Sequence, residues 1–367
     1  MPSVPPIEIF IPEIEAFGGA ERADLALSRW LYEHGIANRF LAYQDRIGLA
    51  KFASHPVEVL ALNPVGGFRA KVGALKKHFN HVQNQSRLIV SGYQPALHTT
   101  LAGGRGFQCL MHDTPALFSD AAHRSLKGKL RIALQNIIVG RGLRSGGATI
   151  VTSEFLQNEC RKDFHVQAHI ARMGGLPPAD GFHPRQFSGT LNLLSVCRIE
   201  KNKRIDWILQ SLAALENASE PLSQHVDWQL QLAGKGSQID TLTSMAQSFG
   251  IGDRVHFLGF VSDEDLQKLF RESHLFLMPA LQGFGIPAVE ALQSGMPVLL
   301  HRESGVSDIL QETPWATVFK GSADAMTHAL AAAIHSIVAG RHIGQPLPPI
   351  NTEDEWAERV AQLCGWV

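Results

Sequence analysis

The sequence predicts two α/β domains, each a mostly parallel sheet with helices on both faces, facing each other across a cleft. Three observations carry this. The chain has 367 residues, more than one ordinary hydrophobic core supports, so two domains of normal size are expected. Short apolar runs alternate with stretches of helical periodicity, the pattern of parallel strands joined by crossover helices. From about Gly174 to Gly189 that alternation breaks into GGLPPADGFHPRQFSG, a Gly- and Pro-rich stretch that reads as a linker.

In the first half, Ile7–Ile11 reads as a strand, followed by a loop and then Gly18-Gly19-Ala20-Glu21, which opens a helix running to about His34. Leu88–Val90 and Ala148–Thr152 are further strand candidates. The second half is more regular. Leu191–Cys197 (LNLLSVC) reads as a buried strand, and the segment after Lys203 has helical periodicity through Ile205, Ile208, Leu209 and Leu212. Trp228–Ala233 is the next strand, ended by Gly234-Lys235-Gly236, with a helix from there to Phe249. Short strands follow at Val255–Leu258, Leu275–Met278 and Val298–Leu300, with helices between them. Neither a tandem repeat nor a low-complexity tract interrupts this order.

Composition bounds the function. Hydrophobic content of 45% and charged content of 18% fit a globular protein and exclude wholesale disorder. No stretch approaches the roughly 18–20 apolar residues that span a bilayer, and the opening MPSVPPIEIFIPE lacks the basic n-region of a signal peptide. Cys109, Cys160, Cys197 and Cys364 are scattered, with Cys197 read as a buried small hydrophobe, so a reducing, cytoplasmic compartment is expected. The net charge of −1 conceals a strong imbalance: residues 59–153 carry 12 basic and 2 acidic side chains, whereas residues 154–367 carry 16 and 24.

Open α/β sheets bind ligands outside the carboxyl ends of their strands, often at helix N-termini. Four segments have that position. In Gln282-Gly283-Phe284-Gly285-Ile286-Pro287, two glycines let the backbone approach a ligand, and the free N–H groups of a helix start favour phosphate. Glu290 lies about one turn into that helix, placed to accept from a pair of sugar hydroxyls. Arg198, Lys201 and Lys203 follow the strand ending at Cys197 and suit a diphosphate, although a solvated basic loop is the commoner outcome for such a run. Gly18-Gly19-Ala20-Glu21 is not GxGxxG, which disfavours a dinucleotide and leaves anion binding open. Met111-His112-Asp113 puts a His beside an Asp at a strand end, where it either contacts a substrate or is structural.

Together these segments resemble the retaining GT-B glycosyltransferases of family 4, also called group 1. The resemblance covers nearly the whole chain and is strongest from Leu191 to Leu310, where SVCRIEKNKRIDWIL, LQLAGKGS, VHFLGFVSDEDLQKLFRESHLFLMPA and GFGIPAVEALQSGMPVL occur in the family's order. It implies two Rossmann-like domains: residues 1–180 on the acceptor side, 181–345 binding a nucleotide-sugar donor, and a C-terminal helix in 346–367 packing back on the first domain. Arg198 and Lys203 match the basic pair that holds the donor diphosphate. Gly283, Phe284, Gly285 and Ile286 match the loop facing donor sugar and phosphate, and Glu290 matches the Glu that binds the ribose. Phe260 and Val261 sit where backbone groups meet the base. Gly18 and Gly19 match the glycine loop that approaches the phosphate from the other domain, and His112 matches the histidine near the transferred sugar.

The chain departs from the family at three places. The first Glu of E-x7-E is Gln282, which keeps an acceptor carbonyl but loses the charge. The usual Asn-Gly reads Met173-Gly174, and the acidic residue after the late glycine turn is Asp308 in place of Glu. Asp263-Glu264-Asp265 is formally a DxD, but it follows Ser262 at a helix start and reads as a cap with an acidic first turn. The spacings His78-x-x-His81 and His165-x3-His169 suit a metal but lack a third ligand, so no metal or other cofactor is expected.

The resemblance implies transfer of a hexose, mannose favoured, from a GDP- or UDP-sugar to a hydroxyl with retained anomeric configuration. Arg and Lys, not a metal, stabilise the leaving diphosphate, and domain closure aligns the substrates. Leu126, Leu130, Leu134, Ile137 and Ile138 interleave with six cations between Arg124 and Arg144, suggesting an amphipathic basic helix on an anionic membrane surface at the inner face of the cell membrane. The acceptor is then a lipid-linked or oligosaccharide glycan of a surface polysaccharide. A nucleic acid partner is not expected, because no RNA- or DNA-binding signature accompanies the basic segment. A catalytically weakened sugar-nucleotide-binding subunit, motivated by Gln282, and a GT-B nucleotide-sugar epimerase are the alternatives.

Overall fold

The structure is a computed structural model that describes residues 4–15, 17–81, 85–114, 125–175, 181–310 and 313–367. Arg124 and residues 176–180 of the expected linker lie outside the described residues. The chain divides into two compact units, Met1–Gly174 with Asn351–Val367, and Gly175–Ile350.

The first unit is built on seven parallel strands: β1 (Ile7–Phe10), β3 (Asn38–Ala42), β5 (Val59–Ala61), β6 (Leu88–Ser91), β7 (Gln108–Met111), β8 (Thr149–Val151) and β9 (His169–Ile170). Their order across the sheet is β5-β3-β1-β6-β7-β8-β9. The chain works outward from β1 in one direction, returns, and works outward in the other, so β1 and β6 flank the switch point of a doubly wound sheet. Two short extensions, β2 (Glu13–Ile14) and β4 (Gln44–Asp45), pair with each other beyond the ends of β1 and β3.

Central strands are apolar on both faces, and β1 (IEIF) is buried throughout. Its one charge, Glu8, stands opposite Arg39 of β3. Glu8 Oε1 accepts from Arg39 Nη2 at 2.6 Å and Oε2 pairs with His78 Nε2 at 2.7 Å. Burial pushes the Glu8 carboxyl up, but the hydrogen bonds and charges of His78 and Arg39 outweigh it and hold the group below its ordinary range. His78, one half of the His-x-x-His pair, is thus occupied by a carboxylate.

The last helix, Glu353–Leu363, packs on the helix Gly19–Glu33 of the same unit. Thr352 and Glu355 form a capping box at its start. Glu353, 8% exposed, sits 3.0 Å from Arg22 and 3.7 Å from Arg29, and Asp354 pairs with Arg29 at 2.5 Å.

The second unit has six parallel strands: β10 (Leu191–Val196), β11 (Trp228–Ala233), β12 (Val255–Gly259), β13 (Leu275–Met278), β14 (Val298–His301) and β15 (Ala316–Phe319). Their order, β12-β11-β10-β13-β14-β15, is the doubly wound order 3-2-1-4-5-6, with its switch point between β10 and β13. The core joins Leu191, Leu193 and Leu230 of the sheet to Ile208, Leu209 and Leu330 of the helices. The segment after the linker belongs to this unit, since Arg185 donates to the Phe270 carbonyl and His342 pairs with the Arg185 carbonyl. Cys197, expected to be buried, is only half-buried, because it already lies in the loop past β10.

Candidate active site

Both switch points carry the polar residues singled out in the sequence. In the second unit, the loop after β10 begins with Arg198, exposed to solvent, and tightens into a short turn at Lys201–Lys203. Glycines hold it in place. A Cβ on Gly234 would meet the Cys197 carbonyl and one on Gly236 the Ile199 carbonyl, so the glycine turn after β11 packs directly on the basic loop. Glu200 ties the same two loops by accepting from the Ser237 backbone at 3.0 Å and its hydroxyl at 2.7 Å.

Across the switch point, the loop after β13 brings Gln282 to Lys203, whose Nζ donates to Gln282 Oε1 at 3.0 Å. The Gln282 amide in turn donates to the Met278 sulfur. Gly285 is the helix cap at φ +127°, and a Cβ there would lie 2.6 Å from Met278 Cε and 2.9 Å from Gln282 Nε2. Any side chain there would be strained by that φ and would have to displace the ends of Met278 and Gln282. From it the helix Ile286–Gln293 starts with Pro287 in its first turn, where a missing N–H costs nothing. The Gln282–Phe284 stretch is fixed against the loop after β14, with Gln282 bridged to Ser304 and the Phe284 carbonyl accepting from Ser304 Oγ at 3.1 Å. Glu290 is buried on the following turn of the helix.

Phe260 stands at the end of β12 with 75% of its surface exposed, and Lys235 Nζ lies 5.5 Å above its ring. An exposed aromatic face beside a cation suits a planar base. Val261 is half-buried beside it. Arg204, absent from the sequence reading, adopts a left-handed conformation at φ +55°, stacks 4.4 Å from the Trp207 ring and reaches the Pro279 carbonyl. It thereby links the two loops of the switch point. Asp263–Glu272 is a helix whose cap, Ser262, accepts from the Asp265 backbone at 3.1 Å, so the DxD residues form its first turn.

In the first unit, Gly18 and Gly19 are exposed at the start of the helix Gly19–Glu33, and Glu21 Oε2 accepts from the Gly18 N–H at 3.0 Å. His112, just past β7, points into a polar cluster missed at the sequence level. Its Nε2 lies 3.1 Å from Ser91 Oγ at the end of β6, and Ser91 donates to Asp24 Oδ2 at 2.6 Å. Asp24 is 1% exposed and its Oδ1 is 3.9 Å from the His112 ring. Burial pulls the His112 pKa down, but Asp24, Asp113 and Glu21 more than offset it, so the imidazole stays protonated to higher pH than a free His. Glu21 shifts upward through burial and the neighbouring Asp24 charge. The signal for Asp24 lies in AERADLAL, where it replaces an apolar residue on the buried helix stripe of Ala20, Ala23, Leu27 and Leu31.

The helix Leu126–Leu143 carries the basic segment. Leu126, Leu130, Leu134 and Ile137 are 59–75% exposed along one face, with Lys127, Lys129 and Arg131 exposed among them. Ile138 is half-buried, and Val139 and Leu143 anchor the end of the helix. No described helix is long and apolar enough to cross a membrane. No group of three or more His, Cys, Asp or Glu able to hold a metal occurs among the described residues.

Residues 183–343, nearly all of the second unit, match the family described as glycosyl transferases group 1. The mannosylfructose-phosphate synthase of Agrobacterium fabrum is 30% identical over 123 residues, 31% of this chain and 26% of that protein. The O-antigen chain mannosyltransferase B of Escherichia coli is 24% identical over 196 residues, half of each chain. The chain thus spans between a quarter and a half of the length of these curated relatives. Among solved structures, HepE of Anabaena in complex with UDP-glucose superposes with a TM-score of 0.69 at 15% identity, covering 98% of this chain and 99% of that one. The fold is therefore that of GT-B glycosyltransferases.

Proposed function

We propose that the protein is a retaining, metal-independent glycosyltransferase that moves a hexose, mannose favoured, from a nucleotide-diphosphate sugar to a hydroxyl of a lipid-linked or oligosaccharide acceptor in surface polysaccharide assembly. The observation that carries the reading is the switch point of the second unit, where Lys203, Gln282 and the Gly283–Gly285 turn at a helix start meet at the carboxyl edge. Lys203 and Arg198 neutralise the leaving diphosphate, and the N-terminal amides of the helix after Gly285 add fixed positive dipoles. Glu290 accepts from the ribose hydroxyls, and the base lies on Phe260 and Val261. In the first unit, Gly18 and Gly19 offer backbone N–H groups to phosphate. His112, oriented by Ser91 and, through it, by Asp24, hydrogen-bonds the transferred sugar. Mannose is supported by the two curated relatives above, whose names both contain it, and a uridine donor by the UDP-glucose complex of HepE.

The exposed apolar stripe with its cations in Leu126–Leu143 supports an anionic membrane surface, at the inner face of the cell membrane, as the place of work. Sedimentation with anionic liposomes at low and high salt tests it, and absence of salt-sensitive binding removes the membrane from the proposal. For the reaction, a thermal-shift panel of GDP-, UDP- and ADP-sugars identifies the donor. Arg198→Ala and Lys203→Ala then abolish transfer while the circular dichroism spectrum stays native. Normal turnover in both variants would sink the diphosphate assignment. A second reading, a sugar-nucleotide-binding subunit of low activity, is favoured by Gln282; donor binding without transfer or hydrolysis would select it.

A further inference from the structure

The loop after β10 ends on Arg204, whose backbone is held at φ +55°. Among the described residues, the other non-glycine positions with positive φ are Asn63 and His165. Asn tolerates the left-handed region, and His165 closes a helix on an exposed turn. Arg204 instead stands at the carboxyl edge, between the short turn Lys201–Lys203 and the helix Ile205–Glu216. A glycine would take this backbone without strain, and a strained conformation persists where the side chain is needed.

The Arg204 side chain is committed on two sides. Its Cζ lies 4.4 Å above the Trp207 ring, and Nη1 reaches the Pro279 carbonyl, just past β13, at 3.4 Å. Trp207 is itself braced, edge-to-face with His301 at the end of β14, with ring centroids 6.1 Å apart. His301 in turn packs at 5.1 Å on Phe319 at the end of β15. Burial and the Arg204 charge hold the His301 pKa below its ordinary value, so the ring stays neutral and its Nδ1 accepts the Glu303 N–H at 3.2 Å. The Glu303 carbonyl accepts from the Gln282 N–H at 3.4 Å. Arg204 therefore meets the loop after β13 twice, directly at Pro279 and through Trp207, His301 and Glu303 at Gln282. Its neighbour Lys203 donates to the same Gln282.

We propose that Arg204 is a positioning residue for the donor diphosphate: it holds Lys203 at a fixed distance from the Gln282–Gly285 turn, so that the ammonium and the helix amides meet one diphosphate together. It acts through Lys203, since its own guanidinium faces Trp207 and Pro279. Groups that must bind one ligand jointly lose affinity when they drift apart, because the ligand then has to order them. Arg suits the task because its planar fork stacks and donates at once, whereas Lys is a point charge. Naming a diphosphate rests on the glycosyltransferase reading above; the bracing of the two loops does not.

The test uses the full chain and ligand-observed NMR titrations with UDP, GDP, uridine and guanosine. Arg204→Gly removes the brace and also relieves the left-handed strain, so its melting temperature stays within about 3 °C of wild type. Affinity for the diphosphate that wild type binds falls about tenfold, while affinity for the matching nucleoside stays within about twofold. Arg204→Asn, which also tolerates the left-handed region, gives the same pattern. Arg204→Lys keeps the charge without the fork and still loses about fivefold. Three results overturn the proposal. Diphosphate affinity unchanged in Arg204→Gly and Arg204→Asn shows that no brace is needed. Equal losses for diphosphate and nucleoside mark a general disturbance of the unit. Full affinity in Arg204→Lys marks a point charge in place of a brace. Wild type that binds UDP or GDP keeps the donor reading whatever the variants do, whereas wild type that binds neither removes that reading and the proposal with it.

Discussion

Gln282→Glu tests the role proposed for the loop after β13. The native amide accepts from Lys203 at 3.0 Å without adding a negative charge, so it does not compete with the proposed diphosphate for the ammonium. A carboxylate in the same place sets opposite unit charges about 3 Å apart, an attraction of roughly 5–6 kcal/mol at an effective dielectric of 20. Lys203 is half-exposed, so solvent screening and side-chain freedom reduce the net effect to about 1 kcal/mol. Binding of UDP or GDP must compete with that pairing, and its affinity falls about fivefold. Gln282→Leu removes the hydrogen bond without adding charge and leaves nucleotide affinity within about twofold. Isothermal titration calorimetry of both nucleotides against the three proteins, at two salt concentrations, measures the difference. Equal affinities in wild type and Gln282→Glu would show that Lys203 does not meet the diphosphate.

His112→Asn isolates the histidine charge. Because the folded-state pKa is raised, the pairing with Asp24 stabilises fully below the pKa of an unfolded His and is lost as pH rises through the folded value. The melting temperature of wild type above His112→Asn is therefore largest near pH 5–6 and shrinks toward pH 9; a gap that grows with pH contradicts it. Gly285→Ala must accommodate both φ +127° and a methyl 2.6 Å from Met278 Cε, costing on the order of 1–3 kcal/mol. Its measured readouts are a lower melting temperature and weaker nucleotide binding. Glu353→Ala leaves two partly exposed arginines beside an emptied position and destabilises the first unit by about 1–2 kcal/mol, seen as faster proteolysis of the C-terminal helix.

Much of this protein was readable from local pattern. The strands Trp228–Ala233 and Leu275–Met278 occur at the bounds expected from their apolar runs, and Leu191–Val196 stops one residue short of Cys197, where the chain turns into the basic loop. Ser262 caps its helix as the S-x-x-D spacing requires. Such features depend on neighbours a few residues apart, so the sequence displays them directly. Asp24 and Ser91 stayed hidden because they are 67 residues apart and neither belongs to a motif. Only the doubly wound order of the first sheet, which places β6 beside β1, brings the helix after β1 to the end of β6.

By itself, then, the sequence determined the α/β alternation, the order of the second unit's motifs and the candidates Arg198, Lys203, Gln282 and Glu290, because each is written in spacing, charge or glycine placement along the chain. The tertiary structure alone decided that Lys203 reaches Gln282, that carboxylates around His112 raise its pKa, that Arg204 ties the two loops of its switch point, and that Glu13 pairs beside Gln44. Those contacts join side chains from different strands, and their energies depend on distance and burial. The order of residues along the chain contains neither.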